Sequence, residues 1–342
     1  MLNITPAIAA IVSFAVCAAM GIPFIPYLRK LKYGQTILED GPKWHKSKQG
    51  TPTMGGIMIA AGVAIGFVVA LGYSFLTNKT LIQDLRNQLK LVTVVAGIGF
   101  AFMCGLIGFM DDYIKVVKKR NLGLTAKQKT VLQLFVTVAY LASLALAGLD
   151  TTWIPFVGDI DITKGAGLLF WPISLVFIYY MVNAVNLTDG IDGLASTITL
   201  VVTCGYMLMS GRLAMTGLNT LAAASAGGCA GFILWNFKPA KVFMGDTGSM
   251  FLGGLVVALA YGTGRPVLLI FTGLVYLLEA LSVVLQVACY KMTKKRIFKM
   301  SPIHHHFEMC GWKEVKIVKI FSLVNLLGGI AAILLVYFGN LK

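Results

Sequence analysis

Ten stretches of this chain are too long and too apolar to lie on the surface of a water-soluble protein. They run near Ile4 to Tyr27, Met54 to Leu76, Leu91 to Met110, Val131 to Gly148, Gly165 to Val185, Ser196 to Met209, Leu218 to Trp235, Met250 to Tyr261, Val267 to Tyr290 and Ile317 to Phe338. A hydrocarbon core about 30 Å thick is crossed by a helix of about 20 apolar residues. In lipid every backbone N–H and C=O must find its partner inside the protein, which favours helices for such runs. The expectation is an all-α integral membrane protein with about ten transmembrane helices, built as one polytopic domain over residues 1–342. The runs at Ser196 and Met250 are short, which leaves re-entrant or tilted segments open there. The first run has no basic stretch ahead of it and is too long for a signal-peptide core, so it reads as a span.

Composition agrees. Hydrophobic residues make up 57% and charged residues 13%, against about 25% charged in soluble domains. So few charges cannot coat a soluble surface, and so many apolar residues exclude disorder. The six cysteines show no CxxC spacing and nearly all sit in apolar runs. They read as small core residues, not as a disulfide framework or zinc site.

The 29 Lys+Arg outnumber the 14 Asp+Glu, and they alternate from one connection to the next. One set of loops carries Arg29 to Lys48, Lys115 to Lys129, Lys238 and Lys241, and Lys291 to Lys316. The other set carries scattered Lys79, Arg86, Lys90, Lys164, Arg212 and Arg265, mixed with Asp84, Asp150, Asp159 and Asp161. By the positive-inside rule the basic loops face the cytoplasm and both termini face outward. These charges would also serve simply to orient the chain and to bind anionic membrane lipid.

Carboxylates at helix ends gather on the same face, and an ionisable group near hydrocarbon is costly enough to suggest a function. The pair Asp111-Asp112 stands where the third span ends. Neighbouring helical residues point about 100° apart, so one is expected to face a site and the other to set its charge or position. Such carboxylates suit Mg²⁺ shared with substrate phosphates; a solvated helix end pairing with Lys115 or Lys118 is the plainer alternative. Asn186-Leu-Thr-Asp189-Gly-Ile-Asp192-Gly follows the fifth span with no Lys or Arg nearby. As a helix it would bring Asn186, Asp189 and Asp192 towards one face, and its glycines equally allow a tight loop. Gly245-Asp246-Thr-Gly-Ser249 precedes an apolar run, the pattern of a helix N-terminus with N–H groups open to phosphate, although Asp246 there suits a metal better. Alternatively Asp246 merely caps that helix. Three consecutive histidines, His304, His305 and His306, cannot all bind one metal from a helix. Hydrogen bonding of phosphate or nucleotide by one or two of them is preferred. The first basic loop ends in hydroxyls and glycines at Thr51 to Gly56. Together these loops fit an anionic phosphorylated substrate; nucleic acid is a poor candidate, since no aromatic-interleaved basic groove is available.

At these residues the chain closely resembles the bacterial phospho-N-acetylmuramoyl-pentapeptide transferase family, the translocase I of peptidoglycan synthesis. That family belongs to the polyprenyl-phosphate N-acetylhexosamine-1-phosphate transferase superfamily. The likeness rests on GPKWHKSKQGTPTMGG (Gly41 to Gly56), Asp111-Asp112, NLTDGIDGLA (Asn186 to Ala195), NFKPAKVFMGDTGS (Asn236 to Ser249) and SPIHHHFE (Ser301 to Glu308). It implies transfer of phospho-MurNAc-pentapeptide from UDP-MurNAc-pentapeptide to undecaprenyl phosphate, with Mg²⁺, giving lipid I and UMP at the inner face of the bacterial cytoplasmic (inner) membrane. It implies Asp246 as the Mg²⁺ ligand with Asp111 and Asp112 beside it. It implies substrate or nucleoside-inhibitor contacts by Lys48, Thr53, Lys127, Asn186, Asp189, Asp192, Asn236, Phe243, Gln286 and His304 to His306. Two routes stay open: direct attack by the lipid phosphate with Asp111 as base, which is preferred, or a covalent phospho-sugar intermediate. A related transferase using UDP-GlcNAc is the alternative, with an ion-coupled transporter further off, because the acids cluster at helix ends and no internal repeat is found. Oligomeric state is not legible, and a homodimer is compatible with the chain.

Overall fold

The computed structural model describes residues 3–31, 50–77, 79–118 and 122–339. Lys48 and most of the first basic loop lie outside the described residues. In chain order the elements are α1 (Thr5–Lys30), α2 (Gly56–Leu76), α3 (Thr80–Asp84), α4 (Gln88–Val117), α5 (Ala126–Leu146), β1 (Thr151–Ile154), β2 (Gly158–Asp161), α6 (Phe170–Thr188), α7 (Leu194–Arg212), α8 (Thr216–Asn236), α9 (Gly245–Gly262), α10 (Leu269–Thr272), α11 (Leu274–Thr293), α12 (Ile303–Met309) and α13 (Glu314–Phe338). Among the described residues nine helices are long and apolar enough to cross a membrane: α1, α2, α4 to α8, α11 and α13. The chain is an all-α integral membrane protein.

The apolar run expected at Met250 lies in α9, and this helix is the axis of the bundle. Every residue from Thr247 to Gly262 is buried. Between helices in lipid there is little hydrophobic drive, so close backbone approach and van der Waals contact hold them together. Small residues make that approach possible on the α4–α9 seam: a Cβ on Gly254 would stand 2.8 Å from Ala101 Cα, and one on Gly108 would overlap the Asp246 carbonyl at 2.1 Å. The second contact pins the site end of α4 directly onto the start of α9.

Three local features depart from the expected pattern. A two-stranded antiparallel hairpin, β1 with β2, pairs Thr152 with Ile160 and hangs on the end of the bundle away from the carboxylates. Its Trp153 N–H donates to Gly264 O (3.1 Å) and its turn residue Phe156 to Gly339 O (3.2 Å). The fifth run opens with a 3₁₀ turn, Gly165–Leu169, before α6. The ninth run, expected to be continuous from Val267 to Tyr290, breaks at Gly273 between α10 and α11.

The break is bridged by Asn325, a fully buried amide in α13. Its Nδ2 donates to Thr272 O (2.8 Å) and its Oδ1 accepts from Val275 N–H (3.2 Å). A broken helix is tolerated in lipid when neighbours satisfy the freed backbone groups in this way. Asn325→Ala leaves both groups bare and is expected to cost about 1–2 kcal/mol. Thermal unfolding in detergent reads this directly, and an unchanged midpoint would refute the bridge.

Candidate active site

α4 runs past its expected end at Met110, so Asp111 and Asp112 lie inside the helix and are buried. Asp112 turns towards α9: it accepts from Asp246 N–H (3.2 Å), Thr247 N–H (2.9 Å) and the Thr247 hydroxyl (2.7 Å). The first N–H groups of α9 are therefore already taken. This corrects the expectation that they stand open to phosphate, and it makes Asp112, not Asp246, the cap of α9. A carboxylate at a helix N-terminus gains both hydrogen bonds and the favourable end of the helix dipole. The entry to α9 is cramped. Gly245 has φ +70°, and a Cβ on it would meet Asp112 Oδ2 at 2.5 Å and Thr53 Oγ1 at 2.7 Å, so only glycine fits.

With its backbone held by Asp112, the Asp246 side chain is left to point inward. Its Oδ1 accepts from Asn186 Nδ2 (2.9 Å), and its Oδ2 meets Lys129 Nζ (2.9 Å) and Lys115 Nζ (3.2 Å). Asn186 also donates to Ser249 Oγ (2.7 Å), which locks its amide. Asp111 completes the group, with Oδ2 at 2.5 Å from Lys115 Nζ and Oδ1 accepting from Leu124 N–H. Burial by itself would push the Asp246 carboxyl up. Lys129 first, then Asp111, Lys115 and Asn186 hydrogen-bonded or charged beside it, outweigh that and hold it well below the usual carboxylate range.

Carboxylate oxygens of Asp111, Asp112 and Asp246 come within 4.8 Å of one another. Two of the three come from adjacent residues of one helix: Asp112 is occupied with the start of α9, and Asp111 with Lys115 and the 124 backbone. An all-oxygen anionic set of this kind fits a hard divalent cation such as Mg²⁺. The two ammonium groups beside it fit phosphate oxygens.

Several of the other candidate residues lie in loops stitched to one another. The segment after Gly50 zips onto the loop before α9: Phe243 N–H donates to Pro52 O (2.8 Å) and Gly55 N–H to Phe243 O (2.8 Å), which sets Thr53 and the half-buried Phe243 side by side. α6 ends at Thr188, so Asp189 and Asp192 lie on a turn and not on a helical face. Asp192 Oδ2 accepts from Ala240 N–H (3.1 Å). Asn236 is engaged within the protein, accepting from Gly193 N–H and Ser196 Oγ and donating to Val242 O (3.0 Å). Gln286 likewise accepts from Ile297 and Phe298 N–H and donates to Phe298 O. These two amides hold loops.

Each histidine meets a different carboxylate or backbone group. His304 Nδ1 lies 2.9 Å from Glu279 Oε2, His305 Nδ1 lies 2.6 Å from Glu308 Oε2, and His306 Nδ1 accepts from Lys299 N–H (3.2 Å). The lysine that meets Asp246 is not the one the resemblance implies as a substrate contact. Lys127 is exposed, whereas Lys129, two residues and about 200° further round the helix, is the one that meets Asp246. The Thr125–Gln128 capping box fixes where α5 begins and hence which lysine faces inward. The pairing of the α4 carboxylates with Lys115, the plainer alternative in the sequence, is present here beside the contact with Asp246. Glu279 was not singled out by the sequence, although a single acid inside an apolar run was a usable signal.

Residues 94–263 match the family model for glycosyl transferase family 4. Residues 48–59 match signature 1 of the phospho-N-acetylmuramoyl-pentapeptide-transferases. The chain is 44% identical to the phospho-N-acetylmuramoyl-pentapeptide-transferase of Clostridioides difficile strain 630 over 319 residues, 92% of this chain and 93% of that relative. It is 43% identical to that of Heliobacterium modesticaldum over 327 residues, 96% of each chain. The chain belongs to the phospho-N-acetylmuramoyl-pentapeptide-transferase family. It is accordingly a multi-pass membrane enzyme, a glycosyl-1-phosphate transferase, and not an ion-coupled transporter. In this phospho-N-acetylmuramoyl-pentapeptide-transferase family member, the glycosyl transferase match contains all three carboxylates, both lysines and the Asp189–Asp192 turn. The signature contains Lys48 and Thr53.

Proposed function

We propose that this enzyme moves phospho-N-acetylmuramoyl-pentapeptide from its UDP carrier to undecaprenyl phosphate, with Mg²⁺, forming lipid I and releasing UMP. The observation that carries the reading is the convergence of Asp111, Asp112 and Asp246 with Lys115 and Lys129 at one end of the bundle. Phosphoryl exchange of this kind is catalysed chiefly by positioning and charge neutralisation. Asp246, with Asp111 and Asp112, would hold Mg²⁺, which supplies neutralisation of the pyrophosphate and of the departing UMP.

The chain's own groups supply the rest. Lys115 and Lys129 are placed to take phosphate oxygens, and Asn186 keeps the Asp246 carboxylate aimed. Asp112 anchors the start of α9 so that the centre does not spread. Asp111 is the acceptor for any proton that the lipid phosphate still carries, and an already anionic phosphate then attacks directly with no covalent intermediate. The site end also carries Lys238, Lys241 and the basic 291–316 segment, so the positive-inside rule supports a cytoplasmic site in the bacterial inner membrane with the hairpin outside. The turn at Asp189 and Asp192, with Phe243 and Thr53, is the proposed nucleotide side, and nucleoside inhibitors would compete there.

UMP release from purified enzyme tests the whole reading. Release is expected only with UDP-N-acetylmuramoyl-pentapeptide, lipid phosphate and Mg²⁺ present together. Equal turnover of UDP-GlcNAc would overturn the donor. A burst of UMP near one per enzyme from lipid-stripped protein, with labelled sugar phosphate left on the chain, would overturn direct attack.

A further inference from the structure

Glu279 is the sixth residue of α11, a helix long and apolar enough to cross a membrane, and it has no accessible surface. A buried carboxylate within an apolar run is rare, and it marks a structural or functional need. Here its Oε2 serves a single residue. It faces the His304 backbone N–H at 3.4 Å and His304 Nδ1 at 2.9 Å. A carboxylate acceptor at Nδ1 selects the ring form that carries its proton there, and it fixes the ring plane.

The opposite edge of the ring is then aimed at the turn between α6 and α7. A Cβ on Gly190 would stand only 2.1 Å from His304 Nε2, so the imidazole lies directly against the backbone of that turn. His304 is fully buried, and neither its Nε2 nor Glu279 Oε1 has a hydrogen-bond partner. The pair thus acts as a rigid wedge between α11 and the turn. Asp189 and Asp192 flank Gly190 on either side, and Asp192 in turn holds the loop before α9 through Ala240 N–H.

We propose that Glu279 is a positioning residue for the reaction: through His304 it sets the Gly190 turn, and so places Asp189 and Asp192 for the nucleotide half of the donor. The inference rests on the proposed function, which puts the nucleotide at this turn. Because the residue acts on binding geometry and not on the reacting atoms, its signature is a change in donor KM with kcat retained. A merely structural role would lower the amount of folded enzyme and leave KM unchanged.

The test is steady-state kinetics of purified variants with UDP-N-acetylmuramoyl-pentapeptide and undecaprenyl phosphate. Glu279→Leu is expected to raise the donor KM by about tenfold or more while kcat stays within about threefold. Glu279→Gln keeps a carbonyl that accepts both N–H groups and is expected to restore KM to within about threefold of wild type. If Glu279→Leu does not fold, Gly190→Ala presses a methyl on Nε2 and is expected to raise the same KM. A wild-type donor KM in whichever of these two variants is folded overturns the proposal. Asp189→Asn separates the two levels of inference. A wild-type KM there overturns the nucleotide placement and this proposal with it, whereas a raised KM beside an unaffected Glu279→Leu overturns this proposal alone.

Discussion

Asp246→Asn is expected to reduce transfer by about 10³-fold or more while the bundle stays folded. The amide has nearly the same volume and keeps an oxygen for Asn186. It loses the charge that Lys115 and Lys129 meet, and it turns an N–H₂ group towards one or both ammonium groups. It also removes the anionic ligand that a divalent cation would need most, since Asp112 is committed to the start of α9 and Asp111 to Lys115 and Leu124. Three measurements check this: UMP release, binding of Mn²⁺ as a spectroscopic stand-in for Mg²⁺, and thermal unfolding. Loss of rate together with loss of Mn²⁺ binding is the expected pattern. Wild-type turnover at ordinary Mg²⁺ would remove Asp246 from the centre of the mechanism.

Lys129→Met and Lys127→Met should behave very differently although they lie two residues apart. Lys129 is the closer of the two ammonium groups on Asp246 and only about one-fifth exposed. Removing it leaves a half-buried carboxylate short of a charged hydrogen-bond partner, worth about 1.5–3 kcal/mol, or about a 10- to 100-fold loss of rate if the same contact serves the donor phosphates. Lys127 is exposed and is not the lysine that meets Asp246, and its replacement is expected to change the rate by less than about twofold. Equal losses in both variants would mean that α5 is rotated from the orientation its capping box sets.

The contrast between these lysines shows where sequence reasoning stops. Both belong to one basic loop, and composition and charge cannot tell them apart. Which one faces inward depends on the helical phase, and that phase is set by where Thr125 caps α5. The same limit applies to Asp111 and Asp112. Their residue types and position were legible as a phosphate-and-metal signal, but the division of labour between them depends on α9 arriving beside α4. Glu279 went unnoticed because attention to acids in the connecting loops passes over one inside an apolar run, whose partner lies 25 residues further along the chain.

Membrane residence and the rough bounds of most apolar helices were legible in the sequence alone, although ten runs were expected and nine helices among the described residues are long and apolar enough to cross a membrane. The reason is that lipid imposes a one-dimensional constraint: a run of apolar residues either spans the core or does not, and charge on its flanks has a preferred side. The tertiary structure decided what depends on approach across distant segments. It brought Asp246 to the α4 carboxylates, closed the N–H groups of α9 with Asp112, broke the ninth run where Asn325 repairs it, and set His304 between Glu279 and Gly190. Each of these turns on ångström-scale packing between helices whose glycines admit close contact, and no local pattern encodes which helix will be the neighbour.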